Sequence, residues 1–193
     1  MSSGQTPLVT VVSGVPRSGT SLMMAMLRAG GLDLLIDDQR PADVDNPNGY
    51  YEYGPVAATR SAASWLAHAP GKAVKVVHAL LPDLPAQYRY RMIFMRRHVA
   101  EIVASQRAML DRLGRPGAGV TPEQLGRVFQ DQIDRTLAWS RAQPHVRLLE
   151  MDYNLLIRDP RAEAERLALF LGAGVNAEAM AAVVDPRLYR QRH

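Results

Sequence analysis

Val11 to Leu22 reads VVSGVPRSGTSL: a β-branched run, a loop bounded by Gly14 and Gly19, then the first residues of the apolar-periodic stretch SLMMAMLRA. A buried strand that turns through such a loop straight into a helix brings backbone N–H groups and the positive end of a helix dipole to one point, which is a cradle for an anion. Against the nucleotide-binding pattern G-x-x-x-x-G-K-[ST], Gly14, Gly19 and Ser21 match, but Thr20 stands where the lysine belongs. What is missing is the ammonium that reaches the β- and γ-phosphates of ATP or GTP. A cation is present inside the loop at Arg17, three positions earlier. The expected ligand is therefore an anion other than a nucleoside triphosphate.

Outward from this loop, strands and helices alternate. Leu8 to Val12, Ala73 to Val77, Tyr90 to Met95 and Val146 to Met151 are short apolar runs that read as buried strands. Apolar positions at three- and four-residue spacing predict helices over Gly19 to Ala29, Pro55 to Ala67, Val99 to Leu113, Pro122 to Ala142, Pro160 to Leu171 and Asn176 to Val184, several with proline in the first turn. That alternation predicts one α/β domain over residues 1–193, with a mainly parallel central sheet covered on both faces. Two turn-rich segments, Asp37 to Tyr53 and Gly114 to Pro122, are expected to wall the ligand crevice beyond the carboxyl ends of the strands.

A second basic site lies in MIFMRRHVAEIVASQ, where a strand ends at Arg96 and Arg97 and Ser105 follows eight residues after Arg97. A helix starting near Val99 carries Ser105 about 9 Å along its axis, from which it can face the strand end.

Pro16-Arg17-Ser18-Gly19-Thr20-Ser21 resembles the phosphosulfate-binding loop of the PAPS-dependent sulfotransferases, which runs proline, lysine or arginine, then Ser-Gly-Thr-[ST]. Arg97 and Ser105 are similar in placement to that family's 3′-phosphate motif, although His98 and Val99 stand where Asn or Asp and then Pro commonly follow the arginine. The resemblance runs from about Leu8 to Arg190, through NPNGYYEY, KVVHALLPDLP and LLEMDYNLLIRDPRAEAERLALFLG, and is nearest to short bacterial sulfotransferase-family proteins. It implies a three-layer α/β/α P-loop fold and transfer of a sulfuryl group from PAPS to a hydroxyl or amine, releasing PAP without a metal. It places Arg17 and Lys75 at the sulfuryl group, Pro16 to Ser21 with Arg97 and Ser105 at the nucleotide, and leaves the general base to Glu52 or His78. The carboxyl-terminal Arg-Lys-Gly motif of the larger members has no counterpart, and Arg187, Arg190 and Arg192 are the cations available in the tail. Two other readings stand beside it: a P-loop nucleotide kinase or NTPase with VRLLE as its acidic strand, and a non-catalytic nucleotide-binding relative.

Composition narrows the rest. Of 193 residues 47% are apolar and 22% charged, enough for a hydrophobic core, and no run approaches the roughly 20 apolar residues of a membrane span. No basic-then-apolar leader opens the chain, so a soluble cytoplasmic protein is expected, with a homo-oligomer compatible with the sequence. Zero cysteines exclude disulfides, thiolate zinc sites and a cysteine nucleophile. Net charge is +4, with Lys72 and Lys75 the two lysines among 23 cations, and the absence of a nucleic-acid module argues against DNA or RNA as partner. The expected partner is a small-molecule, lipid or carbohydrate acceptor. An EF-hand starting at Asp43 would need Gly at 48 and Glu at 54, where Asn48 and Gly54 stand. Met23, Met24 and Met26 have spacing suited to core packing; Trp65 and Trp139 suit a helix face or an acceptor wall. His98 suits a helix start, and His68, His145 and His193 are too scattered for a metal site.

Overall fold

The computed structural model describes residues 6–37, 39–43, 46, 49–114, 119–185 and 187. Asp45, Pro47 and Asn48 of the acidic segment, residues 115–118 of the second loop, and Arg190, Arg192 and His193 of the tail lie outside the described residues. Strands β1 (Leu8–Gly14), β2 (Ala73–Lys75), β3 (Arg89–Arg96) and β4 (Val146–Asp152) form one sheet of order β2-β1-β3-β4, with every neighbouring pair parallel. All four sequence-predicted strands are present. Near-continuous apolar runs suit strands buried on both faces.

Helix α1 (Thr20–Ala29) leaves β1, and α2 (Val99–Arg112) and α3 (Pro122–Ala142) cross from β3 to β4. After β4 come α4 (Tyr153–Arg158), α5 (Pro160–Leu171) and α6 (Ala177–Ala182). Alternation along the strands divides the core. Val12 of β1 and Ile93 and Met95 of β3 pack with α1, α5 and α6, whereas Phe94 meets α2 and α3 on the opposite face, and Val9, Val11 and Met92 pack there against Trp65 and Leu66. Met23, Met24 and Met26 are fully buried, as their spacing predicts. Trp65 is core as well, with its Nε1 donating to Thr59 Oγ1 at 3.0 Å, and Trp139 packs against the same cluster.

The helix predicted over Pro55 to Ala67 is instead two short 3₁₀ segments, Gly54–Ala58 and Ser64–His68. Between them the Thr59 hydroxyl donates to Val56 O and the Ser61 hydroxyl to Ala58 O, local bonds that compete with helix continuation. Val77 falls outside β2, and the chain turns at once into a 3₁₀ segment over His78–Asp83. Helix α4 is an addition to the sequence reading; it follows β4 without a gap because Asp152 caps it, accepting from the N–H groups of Asn154 at 2.8 Å and Leu155 at 3.0 Å.

β1 lies between β2 and β3, so the first crossover leaves it in one direction and the next passes to its other side. The carboxyl end of β1 is therefore a topological switch point, where α/β sheets open a crevice. No helix among the described residues is long and apolar enough to cross a membrane.

Candidate active site

The crevice at that switch point is a cleft of about 500 Å³, floored by the loop from Gly14 to Ser21. Gly14 has φ +157° and lies so close to β3 that a Cβ would sit 2.9 Å from Met95 O and collide with the Ser18 hydroxyl. Gly19 has φ +101°, and a Cβ there would strike the ring of Tyr153. Both glycines are demanded by close approach as well as by conformation. Arg17 also takes a left-handed φ of 67°, unusual for a residue with a side chain and held by the contacts described next. Gly19 offers no capping side chain to α1 and its first turn carries no acid, so an anion in the cleft is the natural partner for that helix start.

The two basic motifs meet here. Arg17 Nε donates to Ser105 Oγ at 2.9 Å across 88 positions of sequence, and Arg97 Nη1 donates to Arg17 O at 3.3 Å. Arg97 lies over the ring of Tyr153 at 4.6 Å, and its Nε donates to Glu101 Oε2 at 2.8 Å. Burial lowers the Arg17 pKa, with nearby Arg97 and Arg112 adding to the effect and Tyr50 and Asp43 opposing it. Clustered guanidinium groups prepare a site for a multiply charged anion. Arg96, the other strand-end arginine, turns to the surface and pairs with Glu150 at 3.1 Å. Glu150, the acid of VRLLE, also pairs with Arg141 and is not among the residues lining the cleft, so it does not act as the acidic residue of a nucleotide kinase site there.

Lys75 reaches the cleft from the end of β2. Its Nζ donates to Ser21 Oγ at 3.1 Å and to Tyr50 O, and lies 3.9 Å from Glu52 Oε1. Burial pushes its pKa down to about 8, with Arg40 adding and Glu52 opposing. Glu52 is held from its other side by Arg40 at 3.3 Å and keeps 43% of its side chain exposed, open to an incoming molecule. Asn46 Nδ2 donates to Ser21 Oγ at 2.7 Å, and the Tyr50 hydroxyl donates to Asp43, which ties the acidic segment to the start of α1.

Pro16, Arg17, Gly19, Thr20, Ser21, Glu52, Lys75, Arg97 and Ser105 all line the cleft. Two of the sequence-predicted residues do not. Ser18 is fully buried beneath Gly14, with its N–H bonded to Val15 O at 3.2 Å, so it shapes the loop from within. His78 is buried at its 3₁₀ turn outside the cleft lining; burial lowers its pKa, against the backbone of Gly14 and the side chain of Gln132. Of the two candidate bases, the fold brings only Glu52 into the cleft. Arg40, Asn46, Tyr50, Arg112 and Tyr153 line it without having been singled out as site residues. Asn46 and Tyr50 belong to the flagged NPNGYYEY segment, and Tyr153 follows the helix-capping Asp152.

A family model described as "Sulfotransferase family" matches residues 56–176. No curated protein matches the sequence. Among solved structures, the sulfotransferase domain of the Synechococcus PCC 7002 olefin synthase superposes with a TM-score of 0.58 at 17% identity, covering 99% of this chain and 90% of that one. Mouse sulfotransferase SULT7A1 complexed with PAP gives 0.57 at 16% identity, over 96% of this chain and 64% of that one. Retinol dehydratase in complex with androsterone and inactive cofactor PAP gives 0.53 at 13% identity, over 91% and 62%. The chain thus spans less than two thirds of the length of the latter two.

Proposed function

The chain belongs to the sulfotransferase family, and from that premise we propose that its donor is PAPS, whose sulfuryl group passes to a hydroxyl or amine of a small-molecule, lipid or carbohydrate acceptor, releasing PAP. The observation that carries this reading is the meeting of Arg17, Arg97 and Ser105 beside an uncapped helix start, with no lysine in the loop itself. The residues fit the nucleotide: the glycine cradle admits a phosphate against the backbone, and the arginine and serine pair suits a 3′-phosphate, a group ATP lacks.

PAPS supplies an activated sulfuryl group, and the protein's task is positioning and charge stabilisation. Arg17 and Lys75 meet negative charge on the sulfuryl oxygens and on the bridging oxygen that leaves with PAP. Glu52 takes the acceptor's proton as the new bond to sulfur forms and the old one breaks. The acceptor approaches past the exposed side of Glu52.

Arg97→Ala and Ser105→Ala are each expected to weaken PAP binding about 10-fold or more, measured calorimetrically, by removing charge-assisted or neutral hydrogen bonds to phosphate. Unchanged affinity in both would displace the nucleotide from this cleft. A magnesium-dependent preference for ATP over PAP would favour a kinase or NTPase instead, and tight PAP binding with no sulfonated product over a broad acceptor panel would favour a non-catalytic relative.

Lys75 adds a pH signature. Its pKa of about 8 belongs to the empty cleft, and a sulfonate beside it favours the charged ammonium. The complex then binds more protons than the free protein above pH 8, so PAPS affinity falls as pH rises through that value. Calorimetry at pH 8.5 in buffers of different ionisation enthalpy is expected to register proton uptake on PAPS binding.

A further inference from the structure

The corner where β4 passes into α4 makes contacts that the transfer reaction alone does not explain. Glu101 is 0% exposed, yet it is a carboxylate-bearing residue paired with Arg97 in the first turn of α2. Each of its oxygens is used: Oε2 accepts from Arg97 Nε at 2.8 Å and Oε1 accepts from Asn154 Nδ2 at 2.9 Å, with His98 Nδ1 at 3.6 Å. Asn154 is fixed in turn by two further bonds. Its N–H donates to the capping Asp152 at 2.8 Å, and its Oδ1 accepts from the His98 N–H at 3.2 Å, the residue that opens α2. The amide orientation follows from these partners, a donor on one side and an acceptor on the other.

A buried ion pair is a poor source of stability, because desolvation consumes most of its Coulomb attraction. It is an effective way to hold a guanidinium in one orientation. Glu101 takes the Nε edge of Arg97, Tyr153 supports its face at 4.6 Å, and Nη1 is drawn to Arg17 O at 3.3 Å. Three segments far apart in sequence thus converge on one side chain lining the cleft.

We infer that Asn154 and Glu101 are positioning residues that orient Arg97 toward the 3′-phosphate, and so set the preference of the site for PAP over AMP. This deepens the PAPS reading and rests on it. Neither residue touches the nucleotide; each acts through Arg97.

The test measures Kd for PAP and for AMP, which lacks the 3′-phosphate, with wild type, Asn154→Ala and Glu101→Gln, alongside melting temperatures. Asn154→Ala leaves every charge in place, so any loss is orientational. Glu101→Gln adds one net positive charge, which by itself would strengthen PAP binding. Because both oxygens of Glu101 accept, the glutamine amide must turn its NH₂ toward one of two donors and release it. The ratio of AMP to PAP dissociation constants is expected to fall about 10-fold in both variants, with AMP affinity within about threefold of wild type, the range seen when supporting partners of a binding group are removed. An unchanged ratio in Asn154→Ala overturns the inference, as does an equal loss of both ligands, which would mark the corner as structural only. If Glu101→Gln fails to fold, Asn154→Ala, on the less buried partner, decides alone. A wild-type protein with no preference for PAP over AMP would instead overturn the PAPS reading, and this inference with it.

Discussion

Glu52→Gln is expected to lower kcat by about 10²- to 10⁴-fold, the usual cost of removing a general base, while leaving PAP affinity within about threefold of wild type. The substitution is nearly isosteric and removes the capacity to take a proton together with the negative charge facing Arg40 and Lys75. It also loosens Arg40, which pairs with Glu52 at 3.3 Å and stacks on Tyr50 at 3.3 Å from the ring centroid, so a modest change in acceptor KM accompanies the loss of turnover. Steady-state sulfonation with a labelled donor, set beside PAP calorimetry, separates the two effects. Unchanged turnover would remove Glu52 from the mechanism, and His78 would not inherit the role simply, because its buried side chain does not line the cleft.

Lys75→Met is expected to move activity and stability in opposite directions. Loss of a cation aimed at developing negative charge costs about 10²- to 10³-fold in kcat. The empty protein gains at the same time. A lysine whose pKa is pushed down to about 8 by burial is charged at pH 7 against the preference of its surroundings. From its ordinary value of 10.5 that depression corresponds to roughly 3 kcal/mol at neutral pH, at an order-of-magnitude level. The sign follows from linkage: between pH 8 and 10.5 the unfolded chain holds a proton the folded one has lost, so wild-type stability rises through that window. Lys75→Met escapes the penalty, and its melting temperature at pH 7 is expected to exceed that of wild type, with the difference shrinking toward pH 10. A variant that lost both activity and stability would place Lys75 among the residues that hold the loop together instead of those that act on the donor.

The parts of the fold legible in the sequence are those where local pattern and tertiary environment agree. Four apolar runs became four parallel strands because strands buried on both faces need little polar alternation. Helix α3 begins at Pro122 as expected, with Thr121 and Gln124 forming a reciprocal cap. The segment from Pro55 to Ala67 misled, because its alanines favour a helix in isolation while its hydroxyl side chains bond to nearby carbonyls. Helix α4 was hidden for another reason: six residues starting directly at a strand end leave no room for a periodic pattern. The site divides along the same line. Contiguous groups such as Pro16 to Ser21, and Arg97 with Ser105 on one strand–helix unit, announce themselves by spacing. Tyr153 and Asn154 do not, because their value comes from where β4 lies in the sheet, beside β3 and against the loop.

The fit of Tyr153 under Gly19 has a consequence for synthesis. The loop from Gly14 to Ser21 leaves the ribosome well before the ring that shapes its floor, which is translated more than a hundred residues later. Nascent chains that stop short of β4 carry the whole glycine loop and lack the surface that sets it. Capacity to hold the nucleotide should therefore emerge only in chains long enough for Tyr153 to have cleared the ribosome, and stalled chains of graded length, probed with immobilised PAP, would register that step.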